Sequence, residues 1–312
     1  TGKTRKVLVF AKDAKLDEAK AAGAEIIGEL EIAYRVGHGR YVAITGTNGK
    51  TTTTTLVGEI FKAAERPTYV VGNIGVAVIS KALSAEENSW LVTETSSFQL
   101  ETIRDFRPEI SAILNLTPDH LDRHKTMQNY IDAKARVFEN QTKDQYCILN
   151  HDDEECRKLI EKCNATPVPF SRKAELDFGA YVKNDKIVIK DADGSIVEIC
   201  GTEELQIPGT HNLENALAAC AIAHFAGIDA AVIAKVLREF QGVEHRIELC
   251  NEIDGIRFVN DSKGTNPDAA IRAIEAMKKN IILIAGGYDK GASFEEFVGA
   301  FGDKVKALIL LG

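Results

Sequence analysis

Gly46-Thr47-Asn48-Gly49-Lys50-Thr51-Thr52 is the stretch that decides the reading of this chain. It stands between a short apolar run, residues 41–45, and a helical pattern over 50–64. Glycines let a backbone turn so that its N–H groups converge on phosphate oxygens, and a helix start adds its positive end. In that geometry Lys50 reaches the terminal phosphates and the Thr51 hydroxyl binds Mg²⁺. Gly46, Thr47, Asn48, Gly49 and Thr52 complete the cradle. The common phosphate loop carries a further glycine where this chain has Ile44, so this is the shorter variant G-x-x-G-K-T-T. A glycine-rich turn can also be only a turn. The strand–loop–helix context and the G-K-T-T ending favour nucleotide.

Around the loop, strand-like and helix-like stretches alternate, the pattern of a parallel sheet with crossover helices. Strands are expected at 41–45, Trp90–Glu94, 110–116 and 146–149. A helix is expected at 129–140, with Ile131, Ala135 and Phe138 at helical spacing. Over 178–208 the pattern becomes antiparallel, Lys186–Lys190 and 196–200 flanking the hairpin pair Asp193-Gly194. Helical pattern returns at 211–227 and 230–240, and a boundary falls near 242–248. Beyond it come strands at Ile256–Asn260, 281–285 and Val305–Leu311, with helices at 267–277 and 294–301. The expected fold class is α/β: a central P-loop-type, mostly parallel sheet with flanking helices and a small antiparallel insertion, plus incomplete Rossmann-like terminal domains. The divisions are 1–40, a remnant of an N-terminal domain, 41–246, a nucleotide-binding domain, and 247–312, the start of a further α/β domain. The N-terminal part carries a strand-like run at 7–10 and a helix-like one at 16–22, without the glycine-rich turn of a dinucleotide site. An apolar parallel strand such as Val305–Leu311 is normally covered on both faces. The expectation is a piece of a longer working protein.

The 312 residues carry 38 basic and 46 acidic side chains, a net charge of −8. That balance argues against nucleic acid or an anionic membrane as the main partner, but local cations can still hold phosphates. The six cysteines include no C-x-x-C pair and read as reduced thiols. No apolar run approaches a membrane span. A cytoplasmic monomer is expected.

Further residues cluster at strand ends. Glu94 closes a strand and is followed by Thr95-Ser96-Ser97-Phe98-Gln99-Leu100-Glu101. A carboxylate at such an end faces the ligand crevice and suits Mg²⁺ beside a phosphate loop. The next strand leads into Asp119-His120-Leu121-Asp122-Arg123-His124; His124 and Asp122 can as well be loop-stabilising. Lys134 reads, on its own, as a helical lysine, and Asn73 as a turn asparagine. Asn212 suits the N-cap of the helix it opens. Arg246 sits at the inferred junction, where it can reach a γ-phosphate or form an interdomain salt bridge.

These motifs together, from about residue 28 to the end, resemble the Mur ligases, and more distantly the related folylpolyglutamate synthetases. The Ser96-to-Glu101 run resembles the D-glutamate-adding branch. The resemblance implies ATP and two Mg²⁺, with metal ligands from Thr51, Glu94, His120 and a carbamylated Lys134. It puts Asn212 and Asn215 at adenine, Asp261 at ribose, and Lys50, Arg246 and Lys263 at phosphate. It sets Asn73, Thr265 and Lys290 against the substrates, UDP-N-acetylmuramoyl-L-alanine and D-glutamate. A lysine at position 290 is otherwise a solvated side chain. The implied activity is ATP-dependent amide ligation through an acyl phosphate, Lys50, His120, Lys134, Arg246 and Lys263 forming the catalytic set. The competing expectations are another muropeptide ligase, a folylpolyglutamate synthetase and a non-catalytic ATP-binding module.

Overall fold

Arg40–Thr45 (β1) alternates its buried side chains between two cores. Val42 and Ile44 join one, Tyr41 and Ala43 the other, as expected of a strand covered on both faces. A computed structural model of the chain describes residues 14–287 and 294–311. The strand-like run at 7–10 and Lys290 lie outside the described residues.

The other strands are Thr68–Gly72 (β2), Trp90–Glu94 (β3), Ile110–Ile113 (β4), Tyr146–Asn150 (β5), Thr166–Ser171 (β6), Gly179–Lys183 (β7), Lys186–Lys190 (β8), Ile196–Gly201 (β9), Glu248–Ile253 (β10), Ile256–Asn260 (β11), Ile281–Gly286 (β12) and Val305–Leu311 (β13). The first nine form one sheet in the order β2-β3-β1-β4-β5-β6-β7-β8-β9. It is parallel from β2 to β7 and antiparallel through β8 and β9. The antiparallel insertion therefore extends the central sheet. Helices Lys50–Ala63, Thr210–Phe225 and Ala230–Glu239 cover one face. Glu29–Val36, Met127–Ala135 and Glu154–Leu159 cover the other. The Thr210–Phe225 helix is buried all round from Ala216 to Ala223, so small residues there let it pack close to the sheet.

β1 has β3 on one side and β4 on the other. Its C-terminal end is thus a switch point, where the crossovers diverge and a crevice opens. The phosphate loop, the end of β3 and the segment after β4 all meet there.

Several elements differ from expectation. β4 ends at Ile113, since the chain beyond it is drawn onto the phosphate loop, Leu114 N–H donating to Thr45 O and Thr47 N–H to Asn115 O. The helix expected over 129–140 is Met127–Ala135 followed by a 3₁₀ turn, Arg136–Phe138. β6 contains Pro167 and Pro169, which argue against a central strand. They fit because β7 pairs only with Phe170 and Ser171, beyond both prolines. β11 pairs with β10 through the two-residue turn Asp254-Gly255, both in the left-handed region. β12 pairs in parallel with β13. Among the described residues no helix is long and apolar enough to cross a membrane. All six cysteines are free thiols, and Cys250 is exposed.

Candidate functional site

The loop between β1 and the helix Lys50–Ala63 is held by one asparagine. Asn115 accepts the Asn48 N–H at Oδ1 (2.8 Å) and donates Nδ2 to Asn48 O (3.0 Å), while its carbonyl takes the Thr47 N–H (2.9 Å). Those two loop amides are therefore spent on protein. The first helical amides, by contrast, have no intrahelical carbonyl in reach. Gly49 sits at φ +84, and a Cβ there would lie 2.2 Å from Asn215 Oδ1, so glycine is required both by conformation and by space.

Two lysines converge on one carbonyl oxygen. Lys50 Nζ lies 2.9 Å from Gly46 O and 2.7 Å from Thr47 O; Lys134 Nζ lies 2.8 Å from the same Gly46 O. Lys134 is only 2% exposed and comes from the far side, on the Met127–Ala135 helix. Burial first, and then the Lys50 charge, push its amine well below the usual lysine range; Asp119 and Glu94 pull weakly the other way. Burial also lowers the Lys50 amine, opposed by Glu94 and Asp119. The Tyr130 ring lies beneath Lys134, 4.7 Å from Nζ, and its hydroxyl meets Thr47 Oγ1 at 3.2 Å.

Beside the lysines, Thr51 Oγ1 donates to Glu94 Oε2 (2.8 Å), and Asn73 Nδ2 donates to Glu94 Oε1 (2.9 Å). Glu94 is buried at the end of β3. Among the described residues no three His, Cys, Asp or Glu side chains gather as a metal cluster. The donors that do gather, a hydroxyl and a carboxylate, are hard oxygens. They suit Mg²⁺, which keeps several waters and takes phosphate oxygens in preference to an all-protein cage.

His120 is left-handed (φ 53, ψ 30), and its Nε2 stands 3.7 Å from Asp119 Oδ2. His124 has a structural place: Nε2 meets Ser97 Oγ at 3.0 Å and Nδ1 lies 3.4 Å from Glu101 Oε1. The Asn212 N-cap reading is corrected. The helix is capped by Gly209, and Asn212, inside the first turn, donates Nδ2 to Pro208 O (2.6 Å) while accepting from Asn215 Nδ2 (3.1 Å). Both asparagines line a cavity shared with Gly49, Thr52, His211, Arg246 and Asp261. Burial and the nearby Arg272 and Arg246 push the His211 imidazole down to about 4. Burial raises the Asp261 carboxyl, against the Ile247 N–H and Arg246.

The structure thus brings together Lys50, Thr51, Asn73, Glu94 and Lys134 at the end of the sheet, and Asn212, Asn215, Arg246 and Asp261 around the adjoining cavity. Lys263 and Thr265 are exposed on the β11 side. Three neighbours of the loop were not assigned from sequence. Asp119 acts electrostatically on both lysines. Asn48 Nδ2 donates to Asp268 Oδ2 at 2.5 Å, and Asn266 Nδ2 reaches Asn48 Oδ1 at 3.2 Å and Asp119 Oδ2 at 3.3 Å. Asp119 stood inside a quoted motif and could have been read. The contacts of Asn266 and Asp268 with Asn48 cross more than 200 positions of sequence, and no local signal announces them.

The family model of the Mur ligase middle domain matches residues 44–223, and that of the Mur ligase glutamate ligase domain matches 245–312. The UDP-N-acetylmuramoylalanine–D-glutamate ligase of Thermoanaerobacter sp. (strain X514) is 57% identical over 288 residues, 92% of this chain and 63% of the relative. The protein of the same name from Clostridioides difficile (strain 630) is 52% identical over 294 residues, 94% of this chain and 65% of its own length. This chain therefore spans just under two thirds of the curated relatives it matches. In fold it is similar to MurF from Acinetobacter baumannii (TM-score 0.68, 19% identity, 90% of this chain and 70% of that one). It is also similar to the MurF ligase from Thermotoga maritima in complex with ADP (TM-score 0.67, 16% identity, 98% and 77%). With more than half of its residues inside the middle-domain match and the remainder from 245 inside the glutamate ligase match, the chain belongs to the Mur ligase family.

Proposed function

We propose that this chain carries the nucleotide-binding core and part of the amino-acid-binding unit of a cytoplasmic ATP-dependent ligase that adds D-glutamate to UDP-N-acetylmuramoyl-L-alanine. Residues 41–246 serve the nucleotide and 247–312 begin the unit for the amino acid; 1–40 belong to the unit for the UDP substrate. The observation that carries the reading is the convergence of Lys50 and Lys134 on the Gly46 carbonyl beside the Thr51–Glu94 pair. The substrate pair is supported by the names of the relatives at 52–57% identity.

The carboxylate of the UDP substrate attacks the γ-phosphorus of ATP, the bond to ADP breaks, and an acyl phosphate forms. The amine of D-glutamate then adds to the acyl carbon, phosphate leaves, and the nitrogen gives up a proton. Lys50 and Arg246 neutralise the transferring phosphoryl group, the helix start orients it, and Asn73 fixes Glu94. Lys263 adds charge at the phosphates as it closes on them, while Asp261 holds the ribose and Asn212 and Asn215 the adenine edge. Recognition of D-glutamate falls to Thr265 and Lys290. Two Mg²⁺, held by Thr51 and Glu94 and by His120 and Lys134, would supply charge neutralisation at the phosphates.

The surroundings of Lys134 support the carbamylation that the family resemblance implies. Two ammonium groups on one carbonyl repel, and the buried one is held toward its neutral form. A neutral amine adds to CO₂, forming an N–C bond and releasing a proton. The product is an anion, which attracts Lys50 and can ligate a cation where the amine would repel it.

The test is amino-acid-dependent phosphate release by the native protein with ATP and UDP-N-acetylmuramoyl-L-alanine. D-glutamate is expected to support release, and L-glutamate, L-alanine and meso-diaminopimelate to give none. Release with one of the other three would assign a different ligase.

A further inference from the structure

The Ser96-to-Glu101 run forms a short helix, Ser97–Leu100, fixed by a capping box. Ser96 Oγ accepts the Gln99 N–H (3.2 Å) and the Gln99 side chain accepts the Ser96 N–H (3.0 Å). The box begins two residues after Glu94, so the position of Phe98 is tied to that of the carboxylate. The Phe98 ring meets the segment that carries His120. It lies edge-to-face with the His120 imidazole at 5.0 Å, stacks on His124 at 5.5 Å and 10°, and lies under the Arg123 guanidinium at 4.6 Å. The same two elements are joined by Arg123–Glu101 (2.7 Å) and Ser97–His124 (3.0 Å). His120 itself has a left-handed backbone, a strained conformation for a non-glycine residue that persists only where neighbours hold it. Its side chain is 35% exposed, so burial alone does not fix the ring.

We infer that Phe98 is a positioning residue: its ring sets the angle at which the His120 imidazole is presented. The inference rests on the proposed role of His120 as a metal ligand. Aromatic pairs are attractive beyond the area they bury, and the Arg123 guanidinium over the ring adds a further hold. The consequence for a metal is larger than for the fold, because outer partners of a ligand commonly govern metal affinity by about 10–100-fold.

The test uses Mn²⁺ as probe, bound to the full chain with a non-hydrolysable ATP analogue and followed by electron paramagnetic resonance. Nucleotide binding without metal and thermal melting are measured in parallel. Phe98→Leu keeps an apolar side chain and removes the ring. It is expected to weaken one class of bound Mn²⁺ by about tenfold, with metal-free nucleotide binding unchanged. Phe98→Tyr, which keeps the ring, is expected to restore Mn²⁺ binding. A Phe98→Leu protein that binds Mn²⁺ like wild type, while His120→Ala loses it, overturns the inference alone. Parallel loss of metal and metal-free nucleotide binding overturns it in favour of a general structural role. If His120→Ala itself keeps full Mn²⁺ binding, the assignment of His120 falls and this inference falls with it.

Discussion

Lys134 shows how much of a site can rest on one side chain's surroundings. Its amine gains one short hydrogen bond, to Gly46 O, and loses nearly all its water. Removing it leaves Gly46 O still served by Lys50 and gives up only a long 3.4 Å bond to the Thr45 hydroxyl. Lys134→Met should therefore raise stability by about 1–2 kcal/mol in CO₂-free buffer near neutral pH, by replacing a desolvated amine with an apolar chain, while abolishing ligation. The sign with pH follows from the lowered amine. Between its folded value and about 10.5 the unfolded chain binds the proton and the folded chain does not, so wild-type stability rises with pH through that window. The advantage of Lys134→Met should shrink from pH 7 toward pH 10, as read by thermal melts. An advantage that grows with pH would contradict the buried neutral amine. Sequence alone reads Lys134 as a helical lysine; only the family resemblance marked it, since burial from the opposite face of a sheet has no local signature. Lys50, Thr51 and Glu94 were legible because a loop and a strand end fix where their side chains go.

At the scale of elements, the switch point accounts for the site. β1 separates β3 from β4, so the residues that follow each strand flank the phosphate loop without any long excursion. The loop in turn fits only with glycine at its narrowest contact. Gly49→Ala would place a methyl group against Asn215 and force a left-handed alanine, together costing about 1–3 kcal/mol. Displacing Asn215 should also disturb the cavity that it lines. The expected result is at least tenfold weaker binding of an ATP analogue, by calorimetry, in a protein that melts lower; unchanged affinity would remove Asn215 from the nucleotide site. The strands bordering the site were legible from short apolar runs ending in polar residues. β6 was hidden by its two prolines, whose place beyond the reach of β7 pairing is a tertiary fact. β10 was readable in principle, because Asp254-Gly255 is as strong a hairpin signal as Asp193-Gly194.

Across the whole molecule, the segment after β11 reaches back to the phosphate loop through Asn266 and Asp268, tying the stretch that carries Asp261, Lys263 and Thr265 to the one that carries Lys50. The proposed ligation needs that closure, because the acyl phosphate must meet an amine before it meets water. The pairing of Asn48 with Asp268 could not be read from sequence: nothing in a helix N-terminus announces which distant loop its acid will meet. The central claim is that a carboxylate is activated by phosphoryl transfer at this loop. The most direct measurement is the fate of ¹⁸O placed in the carboxylate of UDP-N-acetylmuramoyl-L-alanine during ligation of D-glutamate by the native protein. The account predicts that one ¹⁸O passes into the released phosphate for each amide formed. Phosphate free of ¹⁸O, with amide still forming, would contradict it.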